Sequence, residues 1–559
     1  MEIGKPGCPN GVNLAAVALL AMPFALVPAA AQDRAAGAFE LAEATIADIH
    51  EAFETGVLTC RELVAGYLER IEAYEDRGPR LNVITTVNPA ALEQAAALDR
   101  AWERAGSSGP LHCIPVLLKD NINTADMPTT SGSAILEGAV PFEDAALVRR
   151  LKDAGALILG KAAMGELATG SYSTGDGQQR NPYNTDRETL GSSSGSGAAV
   201  AANLTAVAVG TDTYTSVRSP AAANAIVGLR PTTGLISRRG ISPRKWNVDT
   251  AGPMTRTVTD AAILLNVLAG PDPTDAMSLD VHSRYPQARK TRSAYADFTQ
   301  HLRRGALRGE RIGVARQFFG GDPEIDALAG AALTEMESLG AELIDVRFEP
   351  EFFDRYVRNA IANLEDLLRS PFREHWEAYL AENFGPDVPK TVAEWVEIYE
   401  TQLMSSRFPP RTDSRFAALN ELRASLAQSA DDPRYQDLLE NVLPRITREI
   451  LAVFDRHEVG ALVFPYISSF APPISNPVET VEDPSYVSAS GPPGPSSLGG
   501  YNDGGFPMIV VPMGFGARGL PAGITFMGRP YAEGTILGYA YDYEQATRLR
   551  RPSPRVPPL

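Results

Sequence analysis

The chain reads as an α/β protein with a largely parallel sheet, and three observations carry that reading. Short apolar runs look like strands: Ile114-Pro115-Val116-Leu117-Leu118, Ala156-Leu157-Ile158-Leu159 and Ala206-Val207-Ala208-Val209. Helical stretches near 144–154 and 197–203 alternate with them, as when crossover helices join parallel strands. Over 559 residues, 44% are apolar and 21% charged, a globular composition that excludes disorder, collagen and coiled coil. That length fits three or four domains, or one large α/β domain with insertions. A formal charge of −17 argues against nucleic-acid phosphate as a partner. Only seven of the 51 basic residues are lysines, so a lysine ending an apolar run needs a reason.

In chain order, residues 1–31 read as an export signal. Lys5 precedes the apolar stretch Leu14 to Val27, which ends in Ala29-Ala30-Ala31, a small-x-small cleavage pattern. The stretch is shorter than the ~20 residues that span a bilayer. The expectation is an exported protein, periplasmic or secreted, that begins near Gln32 and keeps no membrane-spanning segment. Of the three cysteines only Cys60 and Cys113 then remain, too few for a disulfide scaffold. Two free, buried thiols are expected, with a single bridge as the alternative.

Residues 40–110 read as three helices. Thr59-Cys60-Arg61-Glu62 is a capping box, followed by Leu63, Val64, Tyr67, Leu68 and Ile71 at helical spacing. Asn88-Pro89 starts the next helix, which runs to the Gly106-Ser107-Ser108-Gly109 loop. After the strand-rich part to about 270, residues 275–450 are rich in Arg, Glu and aromatics at helical spacing and predict a helical elaboration. Strand character returns at 461–464 and 508–513, so residues 451–549 complete the sheet. Between those runs, 471–505 is full of Pro, Gly and Ser and reads as a long loop at the site.

Several motifs imitate active sites. Gly155 to Lys161 has Walker spacing, but its interior is apolar and Ala162 stands where a Ser or Thr must hold Mg²⁺. Ser242-Pro243-Arg244-Lys245 matches S-x-x-K without its companion motifs. None of the six histidines has metal-ligand spacing, so no metal is expected. Gly191-Ser192-Ser193-Ser194-Gly195 satisfies G-x-S-x-G, but turn chemistry rather than a strand precedes it, and no histidine beyond an unmarked His457 is available.

Three segments fit together instead. Lys119 ends the apolar run 114–118; Gly191 to Val200 is a Ser/Gly loop running into a helix; Val209 to Pro220 is a strand followed by a tight polar turn. Here the chain resembles the amidase signature family, with its strand-end lysine, Gly/Ser loop and Gly-Thr-Asp turn. The resemblance extends through Arg180-Asn181-Pro182-Tyr183, Val227-Gly228-Leu229-Arg230-Pro231-Thr232 and Asp249-Thr250-Ala251-Gly252-Pro253-Met254 to Gly519-Leu520-Pro521-Ala522-Gly523-Ile524. It implies a large twisted mixed sheet covered by helices on both faces, with a helical insertion. One amidase domain over 32–559 would have its signature core at about 110–270.

By the same resemblance the family's Ser–cisSer–Lys triad maps onto Ser216, Ser192 and Lys119, the serines lying 24 residues apart. Ser216 is then the nucleophile and Ser192, on a cis peptide bond, relays protons. The chemistry is coherent: a serine hydroxyl needs a base, and desolvation can make a lysine neutral enough to be one. Backbone N–H groups at Thr213, Tyr214, Thr215 and Ser216 would hold the oxyanion. Asp212 and Arg218 would brace the turn as an ion pair. Ser193 and Ser194 would hydrogen-bond around Lys119 and Ser192, and Ala168, Thr169, Gly170 and Ser171 would flank the acyl pocket. The competing reading of Lys119 is a structural pair with Asp120.

One departure stands out. Tyr214-Thr215 replaces the family's Gly-Gly, and a β-branched Thr215 disfavours the positive φ that glycine adopts freely. Either the turn has an ordinary φ or the oxyanion hole is distorted. The resulting expectation is a cofactor-free amidase acting on small amides, aryl amides, peptide amides or carbamates, with a homodimer left open. Its rivals are an impaired amide-binding member of the family, a component of a tRNA-dependent amidotransferase and a histidine-dependent serine esterase.

Overall fold

Thr59 and Glu62 close the predicted capping box: Thr59 N–H donates to Glu62 at 2.8 Å, and Glu62 N–H donates to Thr59 Oγ1 at 3.2 Å. They start helix α2 (Cys60–Ile71), which follows α1 (Ile46–Glu54) and buries Leu63, Val64, Tyr67 and Ile71. The third predicted helix is α3 (Ala91–Ala105), ending at Gly106. The computed structural model describes residues 39–279, 297–359, 364, 366–414, 417–486 and 505–559. The expected export signal and part of the 471–505 stretch lie outside these residues.

The strands, in chain order, are β1 (Ile84–Val87), β2 (Pro115–Lys119), β3 (Leu157–Ala162), the hairpins β4 (Tyr172–Ser173) with β5 (Gly177–Gln178) and β6 (Arg180–Asn181) with β7 (Asn184–Glu188), then β8 (Val207–Asp212), β9 (Val227–Arg230) and β10 (Thr250–Thr255). They continue as β11 (Arg311–Ala315), β12 (Glu342–Val346), β13 (Ala461–Pro465), β14 (Met508–Phe515) and β15 (Pro521–Met527). Apart from the hairpins they form one eleven-stranded sheet in the order β1-β3-β2-β8-β10-β9-β14-β15-β13-β11-β12. The sheet is mixed, not largely parallel. Only β2 with β3 and β8, and β11 with β12 and β13, run parallel. In the centre β10 lies between β8 and β9 and runs against both, and β14 turns into β15 through residues 516–520, a link too short for a parallel pair.

The texture of 275–450 conceals two strands. β11, the helix Pro323–Ser338 and β12 make a strand–helix–strand unit on the edge of the main sheet. Helices Phe372–Asn383, Val392–Thr401, Ala418–Ser425 and Leu443–His457 fill much of the rest. The first three build their own apolar cluster around Trp376, Trp395 and Tyr399, which also takes in Leu136 and Leu167.

The two cysteines are joined by a disulfide, which corrects the expectation of free thiols. Cys60 opens α2 and Cys113 lies two residues before β2; both are buried in the same core, with Cα atoms 5.7 Å apart across 53 residues of sequence. All residues of β2, β3 and β8 are buried, as in parallel strands covered on both faces.

Candidate active site

β2 and β8 are adjacent and parallel, with Leu118 opposite Val209, so their carboxyl ends open at one edge of the sheet. α/β sheets bind ligands at such edges. Lys119 is the last residue of β2 and is fully buried. Its Nζ lies 2.8 Å from Ser192 Oγ, 2.8 Å from Thr211 Oγ1 and 3.2 Å from the Thr211 carbonyl. It makes no ion pair among the described residues. Asp120, its neighbour in sequence, faces Lys161 at 3.2 Å instead. Burial drives the Lys119 ammonium down to about 7; Asp212 and Asp249 oppose the shift and Arg244 adds to it.

Ser192 follows a cis peptide bond from Gly191. Only glycine fits before it, since a Cβ on Gly191 would sit 1.7 Å from the Gly170 carbonyl oxygen. Ser193 ties the loop down on both sides: its Oγ donates to Thr211 O at 3.0 Å, and its N–H donates to Ser216 O at 3.2 Å. Ser194 Oγ donates to Gln179 Oε1 at 2.9 Å. Neither hydroxyl is bonded to Lys119, but Ser194 Oγ also donates to the Ser192 carbonyl at 3.4 Å, so these two serines hold the Ser192 loop rather than the lysine. Helix α4 (Ser194–Ala201) begins directly behind them.

The turn after β8 is organised by Asp212. Its carboxylate accepts from Arg218 at 3.0 and 3.1 Å, from Arg230 at 2.9 Å and from the Val217 N–H at 2.9 Å. Burial alone would raise this carboxyl, but the two guanidinium groups outweigh it and hold Asp212 well below the usual carboxylate range. Arg218 also donates to the Tyr214 carbonyl, and Thr213 Oγ1 donates to Asp249 at 2.7 Å. Thr215 is not among the residues with positive φ, so its β-branched side chain meets no backbone strain. The N–H groups of Thr215 and Ser216 have no acceptor among the described residues.

These pieces meet in a cavity of about 390 Å³ whose wall includes Gly170, Ser171, Ser192, Tyr214, Thr215 and Ser216. Lys119 lies behind Ser192, and Thr213 is turned away to Asp249. Among the described residues 466–486, none of the Pro-rich stretch lines this cavity, and His457 closes a helix elsewhere. Three charged residues that sequence reasoning did not single out join the wall: Glu166, Arg244 and Arg411. No local pattern marks them, because each reaches the cavity through tertiary folding. Arg230 and Asp249 stood inside segments recognised by resemblance, but their partners were not legible there. No group of three or more His, Cys, Asp or Glu side chains suited to a metal occurs among the described residues.

A family model, Amidase, matches residues 62–537. The chain belongs to the amidase signature family. This amidase is similar in structure to the peptide amidase of Stenotrophomonas maltophilia, at 36% identity and a TM-score of 0.79, covering 92% of this chain and 99% of that one. It is 33% identical to a probable amidase of Arabidopsis thaliana, over 94% of both chains. It is 31% identical to a glutamyl-tRNA(Gln) amidotransferase subunit of Moorella thermoacetica, over 92% of this chain and 99% of the relative. As a family member with these neighbours, the amidase is a C–N amide hydrolase.

Proposed function

We propose that this amidase cleaves small linear amides, including aryl amides, peptide amides and carbamates, through an acyl-enzyme formed on Ser216, with Ser192 as proton relay and Lys119 as base. The observation that carries the reading is a buried lysine with no carboxylate partner, titrating at about 7, and 2.8 Å from Ser192 Oγ. A neutral Lys119 Nζ accepts the Ser192 proton while Ser192 Oγ accepts the Ser216 proton, and Ser216 Oγ attacks the amide carbon. The N–H groups of Thr215 and Ser216 stabilise the oxyanion. The proton returns along the same path to the leaving nitrogen, the C–N bond breaks, and water then releases the acyl group from Ser216.

Thr215 at ordinary φ removes the strain that favoured a binding-only family member. The similarity to amidotransferase subunits supports shared ancestry, whereas a role with cytoplasmic tRNA sits poorly with an export signal. Export itself is supported by residues 1–31 and by the Cys60–Cys113 bridge, since such bonds persist in oxidising compartments.

A fluorophosphonate reads the activated serine directly. Intact mass of the treated protein should show one adduct that both Ser216→Ala and Lys119→Ala abolish. An unlabelled wild type would overturn the reading.

A further inference from the structure

The charges on the cavity wall are not evenly met. Arg244 donates to the carbonyls of Leu167 and Ala168, to Thr169 and to Glu421, the last at 2.8 Å. Arg411 binds Asp413 through two nitrogens, at 3.0 and 2.7 Å, with Glu188 buried nearby. Each guanidinium therefore has a carboxylate partner, although Arg244 shares Glu421 with Arg369. Glu166 does not have the reverse. It is 5% exposed, lines the cavity and forms no ion pair among the described residues.

Its neighbours are neutral donors. Oε1 accepts from Tyr399 OH at 2.5 Å and from Thr174 Oγ1, with Ser133 Oγ 3.0 Å from that phenol. Burial, and then the Glu166 charge, push up the phenol of Tyr172 on β4. Helix Val392–Thr401 supplies Tyr399, so a residue of the helical elaboration fixes the carboxyl against the signature core. Burial raises Glu166 to about 7, the mark of a carboxyl lacking a cation.

We propose that Glu166 is the recognition point for a primary ammonium group carried by the amide substrate. An ammonium entering the cavity would supply the missing cation, with its N–H groups donating to the carboxylate while Tyr399 and Thr174 keep the side chain in place. The inference rests on the amidase reading for what the substrate is, but its first test does not depend on turnover.

Titration calorimetry with propylammonium chloride, and with propanol as the neutral control, tests the site alone. Wild type at pH 8 should bind propylammonium at least about tenfold more tightly than propanol, the scale of a hydrogen bond to a charged group. The preference should vanish in Glu166→Gln, which keeps an oxygen for Tyr399. It should also fade in wild type as pH falls below 7 and the carboxyl protonates, an arm that needs no variant. Equal binding of the two probes at pH 8, or a preference that survives in Glu166→Gln or at pH 5, would overturn the inference. Hydrolysis of β-alaninamide against butanamide, and of the next two longer homologues of each, then places the ammonium along the chain. At least one ammonium amide should be favoured. Turnover of the neutral amides with no ammonium preference at any length would overturn the substrate assignment and leave the hydrolase reading intact. No turnover of any amide would count against the hydrolase.

Discussion

Two lysines stand at or near the ends of adjacent parallel strands and meet different surroundings. Lys119 stands opposite Ala162, and Lys161 opposite Leu118, one step back along the ladder. Side chains alternate along a strand, so the two ammonium groups leave the sheet by opposite faces. Both are fully buried. Lys161 finds Asp120 at 3.2 Å, Thr129 Oγ1 at 2.7 Å and the Pro128 carbonyl. Lys119 finds two hydroxyls and a carbonyl but no carboxylate. Burial lowers both amines, and only Lys161 has a contacting anion to restore its charge. The contrast teaches that burial alone does not set a lysine's charge; what decides it is whether an anion touches the buried ammonium.

The sharpest way to break this comparison is to remove each ammonium in turn. Lys119→Met should lower kcat/KM by about three orders of magnitude or more, the range of a lost general base. Lys161→Met, assayed where it is folded, should stay within about tenfold of wild type. Equal losses in steady-state hydrolysis would mean that the two lysines are not functionally distinct.

The next effect is on stability, and its order is reversed. Lys161→Met breaks a buried pair and should cost about 3–5 kcal/mol in denaturant unfolding, because Asp120 stays behind without its cation. Burial already raises the Asp120 carboxyl, and losing Lys161 raises it further. A carboxyl raised in the folded state contributes stability at low pH that is lost as pH rises. The Lys161→Met deficit should therefore shrink in acid, and adding Asp120→Asn should recover much of it at neutral pH. A pH-independent deficit would show that packing, not charge, is what Lys161 supplies.

Local sequence treats these lysines almost alike. Both end apolar runs, and Asp120, next in line to Lys119, was the obvious structural partner for it. Strand alternation and the turn after β2 send that carboxylate to Lys161 instead, a fact no window of sequence contains. Lys119, Ser192 and Ser216 were picked out by resemblance to the family's ordered motifs, and the structure brings Lys119 to Ser192 and both serines to one cavity wall. The disulfide was not legible, since only tertiary folding brings Cys60 to Cys113 across 53 residues. Arg311-Ile312-Gly313-Val314-Ala315 and Glu342-Leu343-Ile344-Asp345-Val346 were hidden among helices because five-residue strands with charged ends leave too little periodicity. Thr215 was legible as a departure but not in its consequence, because φ at a turn depends on how Asp212, Arg218 and Arg230 anchor it.

The smallest effect sharpens the comparison most finely. If Lys119 acts as a neutral base, kcat/KM must rise with pH through about 7 as its ammonium deprotonates. Glu166 titrates in the same range, so the profile belongs in Glu166→Gln as well, where only the Lys119 limb should remain. Asp249 acts on Lys119 through space, holding its pKa up, while its own carboxylate accepts from Thr213 and from the N–H groups of Arg244 and Lys245. Asp249→Asn keeps an acceptor for Thr213 and deletes the charge. The rising limb should then move to lower pH by a fraction of a unit, with the plateau rate changed less than the midpoint. A limb that stays put or moves to higher pH would mean that the group it reports does not feel the Asp249 charge as Lys119 does, and Lys119 would no longer be the base that the profile reports.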